Sequence, residues 1–127
     1  MGKKYILLVE DDLIATMAEK EILEHLDCEV DHAKDSSEAI DCIKKNSYDL
    51  IFMDLGLPDQ DGINTSRIIR EYETKVQHGC HVPIIAVTGN ADIEQRTKCL
   101  DVGMSDVIYK PLTINKAQFI LSTYDKK

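Results

Sequence analysis

Short apolar runs alternate with longer amphipathic segments along the chain. Three of the runs, at residues 5–9, 50–53 and 84–87, are apolar at every position. Such continuous runs are typical of strands that are covered on both faces of a parallel sheet. Two further segments, Cys28–Ala33 and Asp106–Tyr109, mix polar and apolar residues. They are therefore predicted to be the edge strands, with the three continuous runs between them.

The segments between these strands repeat apolar residues at helical spacing. The first helix is predicted to bury a stripe made of Ile14, Met17, Ala18, Ile22 and Leu26. Its predicted solvent-facing residues are Glu19, Lys20 and Glu24.

Four more helices follow the same pattern. The second is expected to begin at an N-cap, either Asp35 or Ser36. The third, fourth and fifth are expected at about residues 63–76, 92–101 and 113–124. The fourth is short and weakly apolar, and Gly103 just beyond it is a typical stop signal. The predicted buried residues of these helices are Ala39, Ile40, Ile43, Ile68, Ile69, Tyr72, Ile114, Ala117, Ile120 and Leu121.

Five strand–helix units in this order predict an α/β fold with one doubly wound, parallel five-stranded sheet of the flavodoxin-like kind. Edge positions for the second and fifth strands match the strand order 2-1-3-4-5. The 127 residues suffice for a single domain, predicted to occupy residues 1–127 with its core at about 4–124. Ligands of such sheets bind at the carboxyl ends of the strands, here around the switch point between strands one and three.

Charge and composition exclude several classes of function. The net charge of −8 argues against direct binding to nucleic acid or to an anionic membrane surface. No apolar run is long enough to cross a bilayer, so the protein is expected to be cytoplasmic, without membrane insertion. The four cysteines are scattered as is typical of reduced thiols. The segment 78–81, His-Gly-Cys-His, is interpreted as a loop, because a fourth ligand for a transition metal is not in sight.

Polar residues follow the predicted strands at their carboxyl ends. They are Glu10, Asp11, Asp54, Thr88 and Lys110. Taken singly, such residues have simpler explanations, as a helix-dipole partner, a turn residue, a strand terminator or an exposed lysine. Asp12, likewise, is explained as the N-cap of the first helix. Because the carboxyl ends of parallel strands meet at one edge of the sheet, we expect the five residues to form one pocket.

Such a pocket has the chemistry of phosphoryl transfer. Glu10, Asp11 and Asp54 carry a charge of −3 when ionised, which a divalent cation and Lys110 together balance. Mg²⁺ fits these oxygen ligands, with Mn²⁺ as an alternative. An ionised Asp54 is a candidate nucleophile toward phosphorus. Lys110 and Thr88 are then expected to stabilise the phosphoryl oxygens.

Two glycines are expected to shape this pocket. Gly89, next to Thr88, is expected to leave room for the phosphoryl group. Gly62 follows the turn after Asp54 and is expected to adopt the positive φ that a tight loop often needs.

Four short motifs mark a resemblance to a known family. They are Leu-Val-Glu-Asp-Asp at 8–12, Met-Asp-Leu-Gly-Leu-Pro-Asp-Gln-Asp-Gly at 53–62, Ala-Val-Thr-Gly at 86–89 and Tyr-Lys-Pro at 109–111. Together they resemble the receiver domain of two-component response regulators, over residues 4 to about 124. The stretch 83–111 is most similar to receivers that are attached to hybrid histidine kinases.

The resemblance implies a role for each matching residue. The implied site comprises Asp54 as the phosphorylation site, Glu10, Asp11, Asp54 and the carbonyl of Gly56 as Mg²⁺ ligands, and Thr88 and Lys110 as phosphoryl contacts. Asp11 would bind the ion directly, and Glu10 mainly through water. The Lys110–Pro111 peptide bond would be cis.

The chain departs from the family pattern at one position. Three residues before the lysine, many receivers have an aromatic residue that rotates inward on activation, and this chain has Val107. The usual rotamer switch thus lacks its aromatic residue. Gly56 and Asn90 occupy positions that tune self-dephosphorylation in the family, so the resemblance leaves the phosphoryl lifetime open.

The implied function is that of a phosphoacceptor in a phosphorelay. A histidine kinase or a histidine phosphotransfer domain would donate the phosphoryl group. The surface of the fourth helix, fifth strand and fifth helix would then change conformation and carry the signal. As an isolated domain it would not be an enzyme beyond its own phosphorylation and slow dephosphorylation. The cognate kinase, the downstream effector and the choice between a stand-alone protein and a piece of a hybrid kinase stay open.

Two alternative functions are compatible with these residues. A pseudo-receiver would bind partners without being phosphorylated, although every residue needed for phosphorylation is present. A phosphohydrolase of the haloacid dehalogenase type also uses Asp and Mg²⁺. That class needs a second Asp two residues after the nucleophile, where this chain has Gly56.

Overall fold

The computed structural model describes residues 3–76, 81–90 and 92–124 of the chain. Within them lie five strands, β1 Lys4–Val9, β2 Cys28–Ala33, β3 Leu50–Asp54, β4 Ile84–Thr88 and β5 Asp106–Tyr109. The helices that follow them in turn are α1 Leu13–His25, α2 Ser36–Lys45, α3 Gly62–Val76, α4 Ile93–Asp101 and α5 Ile114–Thr123. The loop predicted at 78–81 lies outside the described residues except for His81.

The strands form one parallel sheet in the order β2-β1-β3-β4-β5. The three continuous apolar runs are its central strands and the two mixed segments are its edges, which confirms the predicted fold class and strand order. In the register of the sheet, Val9 lies beside Met53 and Asp54 lies beside Val87. The residues that follow β1 and β4 are therefore neighbours of the end of β3.

The central strands are buried because helices cover both faces of the sheet. Successive strand residues point to opposite faces. Leu7 packs on one face with Ile69 of α3, in a cluster that also includes residues of α2 and α4. Leu8 packs on the other face with Leu23 of α1 and Ile120 of α5. In the described part of the chain, no helix combines the length and apolar character that a membrane span requires.

The predicted helix signals are found at three helix ends. The Asp12 carboxylate accepts hydrogen bonds from two N–H groups in the first turn of α1, at 3.0 and 3.4 Å. Asp35, one of the two predicted caps, accepts one at 2.9 Å in α2. Gly103 follows α4 with a φ of 98° and donates its N–H to the carbonyl of Leu100. These contacts confirm the predicted N-caps and the predicted stop.

The buried face of α1 differs from the predicted stripe. Ile14 and Met17 are 80% and 66% exposed, and Ala18 is exposed as well. The buried residues of this helix are instead Thr16, Glu19 and Leu23. The prediction is therefore wrong for the first half of the stripe and for Glu19, whereas Ile22 and Leu26 do pack against the core.

Hydrogen bonding explains why a polar residue occupies this face. The Thr16 hydroxyl donates to the carbonyl of Asp12 at 2.9 Å, and its oxygen lies 3.2 Å from Nε2 of His32. A hydroxyl that keeps its hydrogen bonds loses little stability on burial. With Thr16 and Glu19 facing the sheet, the apolar side chains of the first turns face outward.

The other helices follow their predicted faces more closely. Ile69 of α3 is buried, and Tyr72 is partly buried against the same cluster. In α5, Ala117, Ile120 and Leu121 are buried as predicted. Ile114 is 40% exposed, because it directly follows the N-cap Thr113 at the open end of the helix, and the prediction is wrong there.

Candidate functional site

Three carboxylates converge where β1 and β3 end. Asp54 is the last residue of β3, and Glu10 and Asp11 directly follow β1. One oxygen of each of these three side chains lies within 4.8 Å of an oxygen of each other one. Glu10 and Asp54 are 1% and 4% exposed, whereas Asp11 is exposed. Two buried acids and one accessible acid therefore form a single oxygen-rich cluster.

Backbone and side-chain contacts fix the position of Glu10. Its Oε2 accepts a hydrogen bond from the N–H of Asp12 at 3.2 Å, and its own N–H donates to Ala33 in the neighbouring strand. Nε2 of His32 lies 2.7 Å from the Glu10 carbonyl oxygen. Because a carbonyl only accepts, Nε2 carries the hydrogen of this bond. His32 thus holds the main chain at the first acid of the cluster.

Lys110 completes the cluster from the end of β5. Its Nζ lies 3.1 Å from Oδ1 of Asp54 and 3.8 Å from Oε1 of Glu10. The backbone N–H of Lys110 donates to the carbonyl of Thr88 at 2.8 Å, which anchors Lys110 to the end of β4. Partial burial alone would lower the pKa of this lysine. The hydrogen bond to Asp54 and the charges of Asp54 and Glu10 outweigh that effect, and the pKa is raised.

The two oxygens of Asp54 have different surroundings. Oδ1 accepts the N–H of Gly56 at 3.1 Å and contacts Lys110. Both of these contacts are made to the same oxygen, Oδ1. Oδ1 is thus held in place by one N–H group and one ammonium group.

Thr88 ends β4 beside the cluster and is buried. Its hydroxyl oxygen accepts the N–H of Asn90 at 3.1 Å and lies 3.2 Å from the carbonyl oxygen of the same residue. A Cβ added at Gly89 would meet no atom within 4 Å, so the space beside Thr88 is open. Val107, at the position of the missing aromatic residue, is buried in β5.

Gly62 differs from the prediction. Among the glycines that the structure describes, only Gly103 has a positive φ, so the expected conformation of Gly62 is wrong. Gly62 instead begins α3 in close contact with the end of β3. A Cβ at this position would lie 2.4 Å from the carbonyl oxygen of Asp54. The residue must be small because the backbone of the central acid passes directly against it. The Lys110–Pro111 bond is cis, as the resemblance implies.

Nearly the whole chain matches a known protein family. Residues 6–121 match the family model of the response regulator receiver domain. The chain belongs to this family. The receiver fold and the order of its strands agree with that assignment.

Relatives of this receiver include parts of much longer signalling proteins. It is 38% identical over 129 residues to hybrid signal transduction histidine kinase L of Dictyostelium discoideum, covering 99% of this chain and 7% of that protein. It is 35% identical over 122 residues to transcription factor SKN7 of Candida albicans, covering 96% of this chain and 21% of that protein. The chain therefore spans about a fifth or less of these curated relatives.

One solved receiver structure is similar to this chain in both sequence and fold. The receiver domain of sensor histidine kinase PA1611 from Pseudomonas aeruginosa PAO1 is 35% identical, with a TM-score of 0.84 and coverage of 97% of this chain and 98% of that one. In that structure a magnesium ion is coordinated in the active site cleft. The fold similarity extends over nearly the whole receiver.

The acidic cluster of this receiver suits a hard divalent cation. Its ligand atoms are carboxylate oxygens, which Mg²⁺ prefers, and it offers no soft ligand. Burial raises the pKa of the Glu10 carboxyl from 4.5 to about 7, and the nearby Asp54 adds to the rise, whereas the Asp12 N–H and Lys110 oppose it. Burial and mutual repulsion therefore both disfavour the ionised form of these carboxylates, and a bound cation would offset both effects. This is the kind of acidic cluster at which receiver domains bind Mg²⁺.

Sequence reasoning missed three residues around this site. His32 holds the Glu10 carbonyl, Glu19 was expected to face solvent, and Gln95 places its Oε1 3.4 Å from the Thr88 hydroxyl. The position of His32 on an edge strand beside β1 was the only signal for its role. For Gln95, the signal was its place three residues after Asp92, which caps α4.

Glu19 is expected to make the unfolding free energy depend on pH. It is 6% exposed, and burial raises its pKa from 4.5 to about 7, against the effect of Lys110 and with that of Asp54 and Asp12. Between these pH values the unfolded chain ionises Glu19 while the folded chain keeps the proton. The stability that protonated Glu19 contributes is thus fully present below pH 4.5 and is lost as the pH rises toward 7. The expected loss is up to about 3 kcal/mol.

Urea unfolding in EDTA across this pH range measures the effect. Glu19→Gln keeps the shape of the side chain and removes its titration, so its stability should depend less on pH than that of the unmodified protein. Glu21→Gln alters an exposed residue of the same helix and should leave the pH dependence unchanged. Equal slopes for all three proteins would show that Glu19 is ionised in the folded state.

Proposed function

We propose that this receiver accepts a phosphoryl group on Asp54 from a phosphohistidine of a histidine kinase or phosphotransfer protein, in a reaction that requires Mg²⁺. The observation that carries the proposal is the position of the Asp54 carboxylate. This carboxylate is buried. It lies 3.1 Å from the Lys110 ammonium and within 4.8 Å of carboxylate oxygens of Glu10 and Asp11. A nucleophile, a cation site and a fixed positive charge therefore share one pocket.

The transfer step follows from the two oxygens of Asp54. Oδ2, the oxygen that neither Gly56 nor Lys110 contacts, attacks phosphorus, a new O–P bond forms, and the P–N bond to the donor imidazole breaks. The departing imidazole nitrogen keeps the electron pair of the P–N bond, takes up a proton from water and leaves as neutral histidine. Lys110 stabilises the oxygens that gain negative charge, and Thr88 donates its hydroxyl to one of them. The N–H of Gly56 holds the other carboxylate oxygen in place during attack.

Mg²⁺ would be held by the carboxylates of Glu10, Asp11 and Asp54, with the Gly56 carbonyl that the resemblance implies. When bound, the ion neutralises charge on the phosphoryl oxygens and on the acids themselves. The phosphorylated receiver then hydrolyses its acyl phosphate slowly. Its signal passes through the surface of α4, β5 and α5, on which Ile93 and Phe119 are exposed.

The donor protein is expected to bind beside the pocket. Leu13, Ile14 and Met17 are exposed at the start of α1, directly after the acidic residues that end at Asp12. An apolar patch at this place gives a partner protein a surface to pack against next to the phosphoacceptor. The negative pocket and the apolar patch together favour a protein donor over a nucleic-acid partner.

Acetyl phosphate tests the proposal without the natural donor. The intact protein is incubated with acetyl phosphate and MgCl₂ and weighed by mass spectrometry, and it should gain one phosphoryl group. The same incubation with EDTA in place of MgCl₂ should give no gain, because the charge of the acids then repels the donor. No gain in either case would indicate a pseudo-receiver. Catalytic turnover of unrelated phosphate esters would indicate a phosphohydrolase instead.

A further inference from the structure

The Thr88 hydroxyl contacts the first turn of α4 as well as its own loop. Its oxygen lies 3.4 Å from Oε1 of Gln95 and 3.2 Å from the carbonyl oxygen of Asn90. Both distances are longer than the usual 2.7–2.8 Å of such bonds, so each contact is weak. Thr88, which is expected to bind the phosphoryl group, therefore also makes a weak contact with α4.

Few other contacts hold the beginning of α4. Cys99 is its only buried residue, and it lies one turn after Gln95 on the same face. Arg96 reaches the carbonyl oxygen of Val107 with a nitrogen at 3.4 Å, another long contact. Asp92 caps the helix by accepting the Gln95 N–H at 2.8 Å, a bond within the helix itself. Weak polar contacts thus tie the first turn of α4 to the sheet.

A groove of about 410 Å³ between α3 and α4 gives the Gln95 side chain an alternative position. Gln95 lines this groove together with Asn64 and Arg67 of α3 and Asp92 and Lys98 of the α4 segment. These polar groups offer other partners to an amide that loses Thr88. Release of Gln95 therefore needs no rearrangement of the apolar core.

The Thr88 hydroxyl has only one hydrogen to donate. It can donate to Gln95 Oε1, to Asn90 or to a phosphoryl oxygen, and not to two of them at full strength. A charged phosphoryl oxygen is a much better acceptor than an amide oxygen at 3.4 Å. Phosphorylation of Asp54 would therefore take this hydrogen away from both Asn90 and Gln95.

We infer that Gln95 is the positioning residue through which the phosphorylation state of Asp54 reaches α4. In the unphosphorylated receiver, the Thr88–Gln95 contact restrains the first turn of α4, and in the phosphorylated receiver this contact is lost. The inference rests on the proposed function and gives Gln95 a coupling role in a chain whose aromatic switch position is occupied by Val107. Buried Val107 makes no polar side-chain contact with Thr88, whereas Gln95 does.

Hydrogen exchange of the α4 peptide tests this restraint. In the unphosphorylated receiver, Gln95→Met should speed exchange at the α4 amides about two- to tenfold, the range for loss of one hydrogen bond. Methionine keeps the length of the side chain and removes its polar atoms. The matched control is Gln118→Met, the same change at an exposed position of α5, which should leave α4 unchanged. Equal α4 exchange in the two variants would overturn the inference.

Phosphorylation and a second variant complete the test. Acetyl phosphate with MgCl₂ should speed α4 exchange in the unmodified protein and add little in Gln95→Met. Thr88→Val should speed α4 exchange at least as much as Gln95→Met, since it also removes the contacts with Asn90, and the double variant should exchange no faster than Thr88→Val alone. If the two substitutions speed α4 exchange additively in the double variant, the inference is overturned. The proposed function would still stand if the unmodified protein gains a phosphoryl group. Failure of the unmodified protein to gain a phosphoryl group would overturn the proposed function, and the coupling with it.

Discussion

The Asp54→Asn variant is expected to gain no phosphoryl group under conditions in which the unmodified protein gains one. An asparagine amide is neutral, and its nitrogen lone pair is delocalised into the carbonyl, so it cannot replace a carboxylate as a nucleophile toward phosphorus. The change also removes one of the three carboxylate charges of the proposed cation site. Both effects act on the same step, and we expect complete loss of the mass gain.

The fold should survive this substitution. Oδ1 of the new amide can still accept the N–H of Gly56 and contact Lys110, as the carboxylate oxygen does at 3.1 Å in each case. Removal of one acid from a crowded cluster also relieves repulsion toward Glu10. The urea midpoint of the variant should therefore be at or above that of the unmodified protein.

Asp41→Asn is the matched control for this prediction. Asp41 lies exposed on α2, so the same chemical change there should leave the phosphoryl gain intact. Mass spectrometry of both variants, followed by peptide mapping, measures the outcome. A phosphoryl group found on the Asp54→Asn protein would place the acceptor on another residue, with Glu10 and Asp11 the first to be examined.

The sheet could be predicted because its strands differ in how they are covered. Continuous apolar runs such as 84–87 are typical of strands that are buried on both faces, so the central strands were distinguishable from the edges. The buried face of α1 was not predictable in the same way. Thr16 is buried because its hydroxyl finds the carbonyl of Asp12, and no hydropathy pattern reveals that a polar side chain will be satisfied.

The convergence of the site residues could be predicted for a topological reason. Parallel strands in a known order bring their carboxyl ends together, so Asp54 and Lys110 were expected to meet although 56 positions separate them along the chain. The contacts of His32 and Gln95 depend on side-chain conformation and on how each element sits against its neighbour. Sequence spacing indicated only that His32 lies on an edge strand and that Gln95 follows the cap of α4, so the contacts of these residues emerge only from the structure.

Replacement of Gly62 by alanine is expected to destabilise the fold by about 3 kcal/mol, at the upper end of the range for overpacking. The added Cβ would lie 2.4 Å from the Asp54 carbonyl oxygen, 2.9 Å from Met53 Cγ and 3.1 Å from Leu55 Cα. Two of these atoms belong to the backbone and cannot rotate away. The usual gain of a glycine-to-alanine change in a helix, up to about 1 kcal/mol, is too small to offset the clash.

Gly89→Ala provides the control for stability, because a Cβ there meets no atom within 4 Å. Its urea midpoint should stay within about 0.5 kcal/mol of the unmodified protein, as expected for an open position. Gly62→Ala should shift the midpoint sharply downward with little change in the slope of the transition. Since the displaced atoms belong to the residues on either side of Asp54 and to its own carbonyl, the folded fraction should also accept phosphoryl more slowly. An unchanged midpoint for Gly62→Ala would mean that the β3–α3 turn relaxes without cost, and the contact with Asp54 would then have no structural importance.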